Sequence, residues 1–193
     1  MTSVQSCCFL VAVIGMGAVG CQLKRPNTVP ARMIEPQLTE SLDQVSKAPG
    51  ATPIRLLETQ ARGHIGRRVL HQLPNGELAE DAVWRWSSLP EQYLDTAIRQ
   101  EVESNPNLLL IDNASAPAVA ATLLVWDIES QNGMRLVGAV EFQITTTDRS
   151  IHSKVVRASE PVEGEMPGDL TSVAGHLLRH LASEGLTNIA EGR

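Results

Sequence analysis

Between Leu124 and Glu129 apolar and acidic side chains alternate, with Leu124, Trp126 and Ile128 on one face and Asp127 and Glu129 on the other. A period of two marks a strand with one buried face. The apolar run before it extends that strand back to residue 118. Asn132-Gly133 follows, a dipeptide suited to a tight hairpin. The return stretch, 134–145, sets Leu136, Val140, Phe142 and Ile144 against Glu141, Gln143 and Thr145. A turn near Asp148-Arg149 leads to a last strand, 151–158. Earlier in the chain, residues 54–58 predict a first strand. Two further runs, 67–73 and 77–86, joined by Pro74-Asn75-Gly76, predict another hairpin.

The period changes at Ser88-Leu89-Pro90-Glu91. Ser88 suits an N-cap, Glu91 would close a capping box, and Pro90 falls in the first turn, where its missing N–H does no harm. Leu94, Ala97, Ile98 and Val102 then recur at helical spacing until Asn105-Pro106-Asn107 stops the helix. Residues 108–111 predict a short apolar strand. After an acidic loop, 159–169, a final helix starts near Asp169. Its Leu170, Val173, Ala174, Leu177, Leu178 and Leu181 form one apolar stripe, and Gly185 marks its end or a bend.

The expected order is β-β-β-α-β-β-β-β-α. Two helices with one apolar stripe each can cover one face of a sheet. The predicted fold is therefore α+β, a two-layer sandwich of a largely antiparallel mixed sheet with both helices on one face.

Residues 7–20 are uncharged and mostly apolar, too short for a comfortable membrane span and suited to a signal-peptide core. Ala18-Val19-Gly20-Cys21 resembles a bacterial lipobox, with Ala18 in place of the usual Leu and no Lys or Arg in the preceding MTSVQS. The expected organisation is a signal peptide at 1–20, a lipidated N-terminus and flexible tether at 21–53, and a folded domain at 54–193. Pro26, Pro30, Pro36, Pro49 and Pro53 account for the tether assignment. Two or three acyl chains on Cys21 would anchor the protein stably in a membrane. Gln22, where Asp would favour the inner membrane, points to the outer membrane and its periplasmic face.

The bulk numbers narrow the function. The chain has 193 residues and a formal charge of −6, with only 16 Lys and Arg, which argues against a nucleic-acid partner. All three cysteines, Cys7, Cys8 and Cys21, precede the domain, so it has neither a disulfide nor a thiolate metal site. No phosphate loop, nucleophile elbow or cofactor motif occurs, and neither an enzyme nor a cofactor is expected. His176 and His180 have metal-compatible spacing but no third ligand, and no metal site is assigned. Asp127 and Glu129 read as a solvated strand face. Trp84 and Trp86 share a face and read first as core packing, with a partner contact as the alternative.

The strand 67–73, the junction Trp86-Ser87-Ser88-Leu89-Pro90, the helix with Leu94, Ile98 and Val102, the pair NLLLID and AATLLVWDIE, and the closing helix 170–184 together resemble the ABC-type transport auxiliary lipoproteins, the PqiC-like family. The likeness covers residues 54–184, with Leu89 standing where a small residue or proline is usual. It implies a non-catalytic, lipid-anchored periplasmic subunit accompanying an ABC ATPase, a permease and an MCE-domain protein that move lipid or other hydrophobic substrates between bacterial membranes. Self-association is open to such a protein, although no residue here demands it. The alternatives are a periplasmic lipid-binding carrier, which needs an apolar cavity, and an outer-membrane assembly lipoprotein.

Overall fold

The computed structural model describes residues 29–38, 45–131, 133–163 and 168–190. The signal peptide, Cys21, Asn132 and the tip of the acidic loop lie outside the described residues. Nine strands and two helices follow in order: β1 Arg32–Ile34, β2 Thr52–Leu56, β3 Gln60–Ala61, β4 Arg68–Gln72, β5 Leu78–Trp86, α1 Pro90–Ser104, β6 Leu108–Leu110, β7 Ala118–Glu129, β8 Arg135–Thr145, β9 Ile151–Pro161 and α2 Gly168–Ala190.

Strand β7 unites the sheet. Along one edge it pairs antiparallel with β8 from Ala118↔Thr145 to Glu129↔Arg135, and β8 pairs antiparallel with β9 over its whole length. The other edge is shared by three shorter strands, all parallel to it: β2 at Ala118–Val119, β3 at Thr122–Leu123 and β4 at Ile128–Glu129. β4 carries β5 and then β1 outward, while β2 carries β6. The α+β class is as expected, and so is the mixed, largely antiparallel sheet with two helices. Two short strands, β1 and β3, join the predicted order. Pieces of two or three residues carry no readable period, and their neighbours' unpaired edges create them.

Both helices pack on the same side of the sheet and against each other. Leu94, Ala97, Ile98 and Val102 of α1 meet Leu123, Trp126 and Ile128 of β7, Leu136, Val140 and Phe142 of β8, and Leu170, Leu177, Leu178 and Leu181 of α2 in one core. Fully burying a side chain of this size contributes about 1.5–3 kcal/mol. Along β7 the inward face changes parity. Val119, Ala121 and Leu123 point inward, then a register shift at Leu124 hands the core to Trp126 and Ile128. Leu124, expected inward, is the extra residue of that bulge, which also sharpens the local twist.

Other local features correct the sequence reading. Helix α1 starts one residue late, with Leu89 as its N-cap at φ −71° and ψ 136°. Proline at the first helical position forces the preceding residue into extended backbone, so the cap falls on Leu89 rather than Ser88. The reciprocal bonds run between Leu89 and Gln92: Gln92 N–H donates to the Leu89 carbonyl at 2.9 Å, and Leu89 N–H to Gln92 Oε1 at 3.3 Å. Ser88 N–H instead donates to the Tyr93 hydroxyl at 2.7 Å. Helix α2 does not stop at Gly185 but continues to Ala190. A Cβ on Gly185 would lie 2.2 Å from the Phe142 ring, so this glycine lets helix and sheet approach closely.

Part of the stretch expected to be tether is folded. Lys47 Nζ donates to the carbonyls of Val102, Glu103 and Asn105 at 2.7, 2.8 and 3.0 Å, closing the C-terminus of α1. A cation there satisfies carbonyls that have no intrahelical partner and complements the helix dipole. Ala48 N–H donates to the Pro106 carbonyl at 2.8 Å and Thr52 N–H to that of Asn107 at 2.8 Å, leading the chain into β2. Lys47→Met should keep the fold and lower stability by about 1–2 kcal/mol. Urea unfolding followed by circular dichroism measures this, with Lys47→Arg expected to recover most of the loss.

Candidate interaction surfaces

Strand β1 places the N-terminal segment on the body. It runs parallel to β5, with Arg32, Met33 and Ile34 opposite Trp84, Arg85 and Trp86. Ile34 is buried in the core, and its carbonyl accepts the Ser87 N–H at 2.8 Å. Gln37 N–H then donates to the Thr171 carbonyl at 3.0 Å in the first turn of α2. Gly175 makes room for this contact, because a Cβ there would lie 2.1 Å from the Gln37 carbonyl oxygen. The segment therefore crosses from the sheet edge to the second helix.

Of the two candidate tryptophans, Trp86 is 1% exposed and stacks at a tilt on Trp126, with ring centroids 5.6 Å apart. It has no surface to offer a partner. Trp84 is half-buried against the core, and the Arg32 guanidinium sits 5.5 Å from its ring centroid, within range of a cation–π contact. What Trp84 would have shown to a partner, β1 covers in part.

Next to Trp84, strand β5 departs from regular pairing. Arg68 opposes Arg85 while Leu70 opposes Glu80, so β5 bulges across residues 81–84. Asp81 organises the bulge, accepting the N–H groups of Val83 and Trp84 at 2.7 and 2.8 Å and lying 3.0 Å from His71 Nε2. Arg85 donates to the carbonyls of Asp81 and Trp84. Burial pushes the Asp81 carboxyl upward, but the Trp84 and Val83 N–H groups together with His71 outweigh it and hold the group below the ordinary range.

On the sheet face away from the helices, Asp127 is only 7% exposed, and its Oδ1 finds no hydrogen-bond partner among the described residues. The solvated strand face expected for Asp127 and Glu129 is therefore half right. Asp127 lies opposite Val137 of β8, whereas Glu129 accepts a bond from Arg157 at 3.1 Å. Alternation placed Asp127 on the outward face, but a wide sheet buries the middle of even that face. Burial, with a smaller contribution from the Glu129 charge, pushes the Asp127 carboxyl up against the pull of Arg157 and His64.

Surface grooves complete the inventory. One of about 590 Å³ lies at the start of α1 and is lined by Glu58, Thr59, Glu91, Asp95 and Arg99. Asp95 there accepts the Thr59 hydroxyl at 3.1 Å and pairs with Arg99 at 2.7 Å. A second, of about 780 Å³, lies between residues 35–38, Tyr93 and Thr96 of α1, and Thr171 of α2. Both mix polar with apolar walls. His176 and His180 are exposed on α2, and no cluster of three metal-ligating side chains occurs among the described residues. No helix among them is long and apolar enough to cross a membrane.

Because the folded state raises the Asp127 pKa, the native protein holds this proton more tightly than the unfolded chain. The contribution of this group to stability therefore falls as pH rises through the unfolded value towards the folded one, and remains lost above it. Asp127→Asn should raise the thermal midpoint at pH 7 and leave it nearly unchanged below the unfolded carboxylate pKa. Melting curves of both proteins across pH 3–8 (roughly the carboxylate-to-neutral range) measure the difference.

Solved structures show where else this architecture occurs. The chain is similar to a Xanthomonas campestris protein of the DUF330 family, with a TM-score of 0.67 and 14% identity over 83% of this chain and 97% of that one. It is also similar to an uncharacterized protein, at a TM-score of 0.60 and 12% identity over 76% of this chain and 95% of that one. A hypothetical protein from Chlamydia trachomatis follows at 0.53 and 12%, over 72% and 96%. No family model and no curated protein matches the sequence. The shared property is the fold, carried over nearly the full length of each of these three proteins.

Proposed function

We propose that this protein is a lipid-anchored, non-catalytic accessory subunit of an MCE-type ABC transport system that moves lipid or another hydrophobic substrate between bacterial membranes. It is processed before Cys21, acylated there, and held at the periplasmic face of the outer membrane. Its partners are an MCE-domain protein and the permease and ATPase assembly, which it meets through protein–protein contact.

The observation that carries this reading is the lipobox-like Ala18-Val19-Gly20-Cys21 placed ahead of a body whose sequence pattern resembles the auxiliary lipoproteins. The packed interior supports contact over carriage. Leu94, Leu123, Phe142, Leu177 and Leu178 are each 0% exposed and fill the space between sheet and helices, where a lipid carrier would need room.

The test is affinity capture of tagged full-length protein from membranes beside a Cys21→Ala variant, with mass spectrometry of partners and of the N-terminal peptide. An acylated Cys21 and MCE or ABC subunits retained by the parent protein are expected. The variant should lose membrane association and retain at least tenfold less of those subunits, a loss of about 1.4 kcal/mol or more in apparent association. An unmodified Cys21 with no transporter subunit overturns the reading, and copurified lipid would favour the carrier.

A further inference from the structure

We propose that the β1–β5–β4 corner of the sheet is a membrane-facing surface that rests on anionic lipid headgroups. This inference depends on the acylation of Cys21 proposed above. Its first support is covalent reach. Arg32, the first residue of β1, lies eleven positions after Cys21. A fully extended chain covers at most about 3.6 Å per residue, so Arg32 stays within roughly 40 Å of the acylated residue. A body beginning at residue 54 would have had about three times that reach. Docking of β1 therefore keeps one particular corner of the molecule near the bilayer.

The second support is the chemistry of that corner. Met33, Arg85 and Arg68 are successive partners across β1, β5 and β4 and so lie on one face. The Trp86 N–H donates to the Arg67 carbonyl, which adds Arg67 to the same end of β4. Arg32, Arg67 and Arg68 are exposed, as are Val29 and Met33 at 62% and 60%. The acidic groups beside them include Glu80, paired with Arg68, Asp81, whose carboxylate is taken up by backbone N–H groups and His71, and the exposed Glu35 directly after β1. In a chain of formal charge −6, three exposed arginines, Arg32, Arg67 and Arg68, with two exposed apolar side chains at the tether exit are complementary to an anionic surface. Basic residues close to such a membrane are attracted to it over about a Debye length.

The opposite sheet edge, β9, lies on the far side of β8 and β7 and is the internal control. Full-length acylated protein is reconstituted in phosphatidylglycerol-containing or pure phosphatidylcholine vesicles bearing headgroup acceptors. A donor is attached through Met33→Cys in one sample and Ser153→Cys in another. Energy transfer from position 33 should exceed that from position 153 by about twofold or more on anionic vesicles. The excess should fall to the smaller value that the tether alone imposes in phosphatidylcholine, in high salt and in Arg67→Glu/Arg68→Glu. Equal transfer from the two positions, or an excess indifferent to lipid charge, overturns the proposal. So does equal transfer on vesicles with position 33 shielded only in native membranes, which would assign the corner to a protein partner. The mass of the N-terminal peptide from the same samples tests acylation separately. An unmodified Cys21 removes the lipoprotein reading, whereas an acylated Cys21 with equal transfer removes only the orientation.

Discussion

The pairing of β7 is the constraint on which the rest of the structure depends. One edge is fully occupied by β8, while the other is divided among three short strands, β2, β3 and β4, which it joins into one sheet. Short strands are marginal alone, and here their stability comes from attachment to a 12-residue strand already held on its other side. The bulge at Leu124 lets one strand serve two core regions. Before it the inward residues are odd-numbered, and after it Trp126 reaches the Trp86 ring.

Helix placement follows from this arrangement. α1 connects β5 to β6, which are attached through β4 and β2 at opposite ends of the divided edge, and so crosses the helix-bearing face of the sheet between them. α2 closes over β8 and β9 and packs on α1. The glycines of α2 take part in this fit: Gly185 admits the Phe142 ring and Gly175 the backbone of Gln37. The second contact joins the N-terminal segment to the body. It makes residues 32–38 a structural part of the domain.

Electrostatic groups are used in two different ways. Asp81, Lys47 and Arg85 satisfy backbone groups that a bulge or a helix end leaves unpaired, so their charges do structural work where the ladder fails. Asp127 does the reverse, standing buried on the sheet face away from the helices, with no partner for Oδ1 among the described residues. Such a group costs stability when ionised. The neighbouring Arg157 charge offsets part of that cost, without a direct bond that would remove it.

Much of this molecule was legible in the sequence because its long elements have clean periods. The strand over 118–129, the hairpins that join β4 to β5 and β7 to β8, and the leucine stripe of α2 repeat often enough for period and turn chemistry to identify them. The α+β class follows from those elements alone. Tertiary structure decided what a local period cannot carry. The short β1 and β3 exist because neighbouring edges need partners, Lys47 matters because a helix end 55 residues away lies beside it, and Gly185 continues a helix because a phenylalanine ring from the sheet lies against it. Asp127 shows the limit on a single side chain. Alternation gives the face of a strand, but burial depends on how many strands and side chains surround that face. Trp84 and Trp86 show the same division: their common face was readable from spacing, while the strand that half-covers one and the ring that receives the other come from segments distant in the chain.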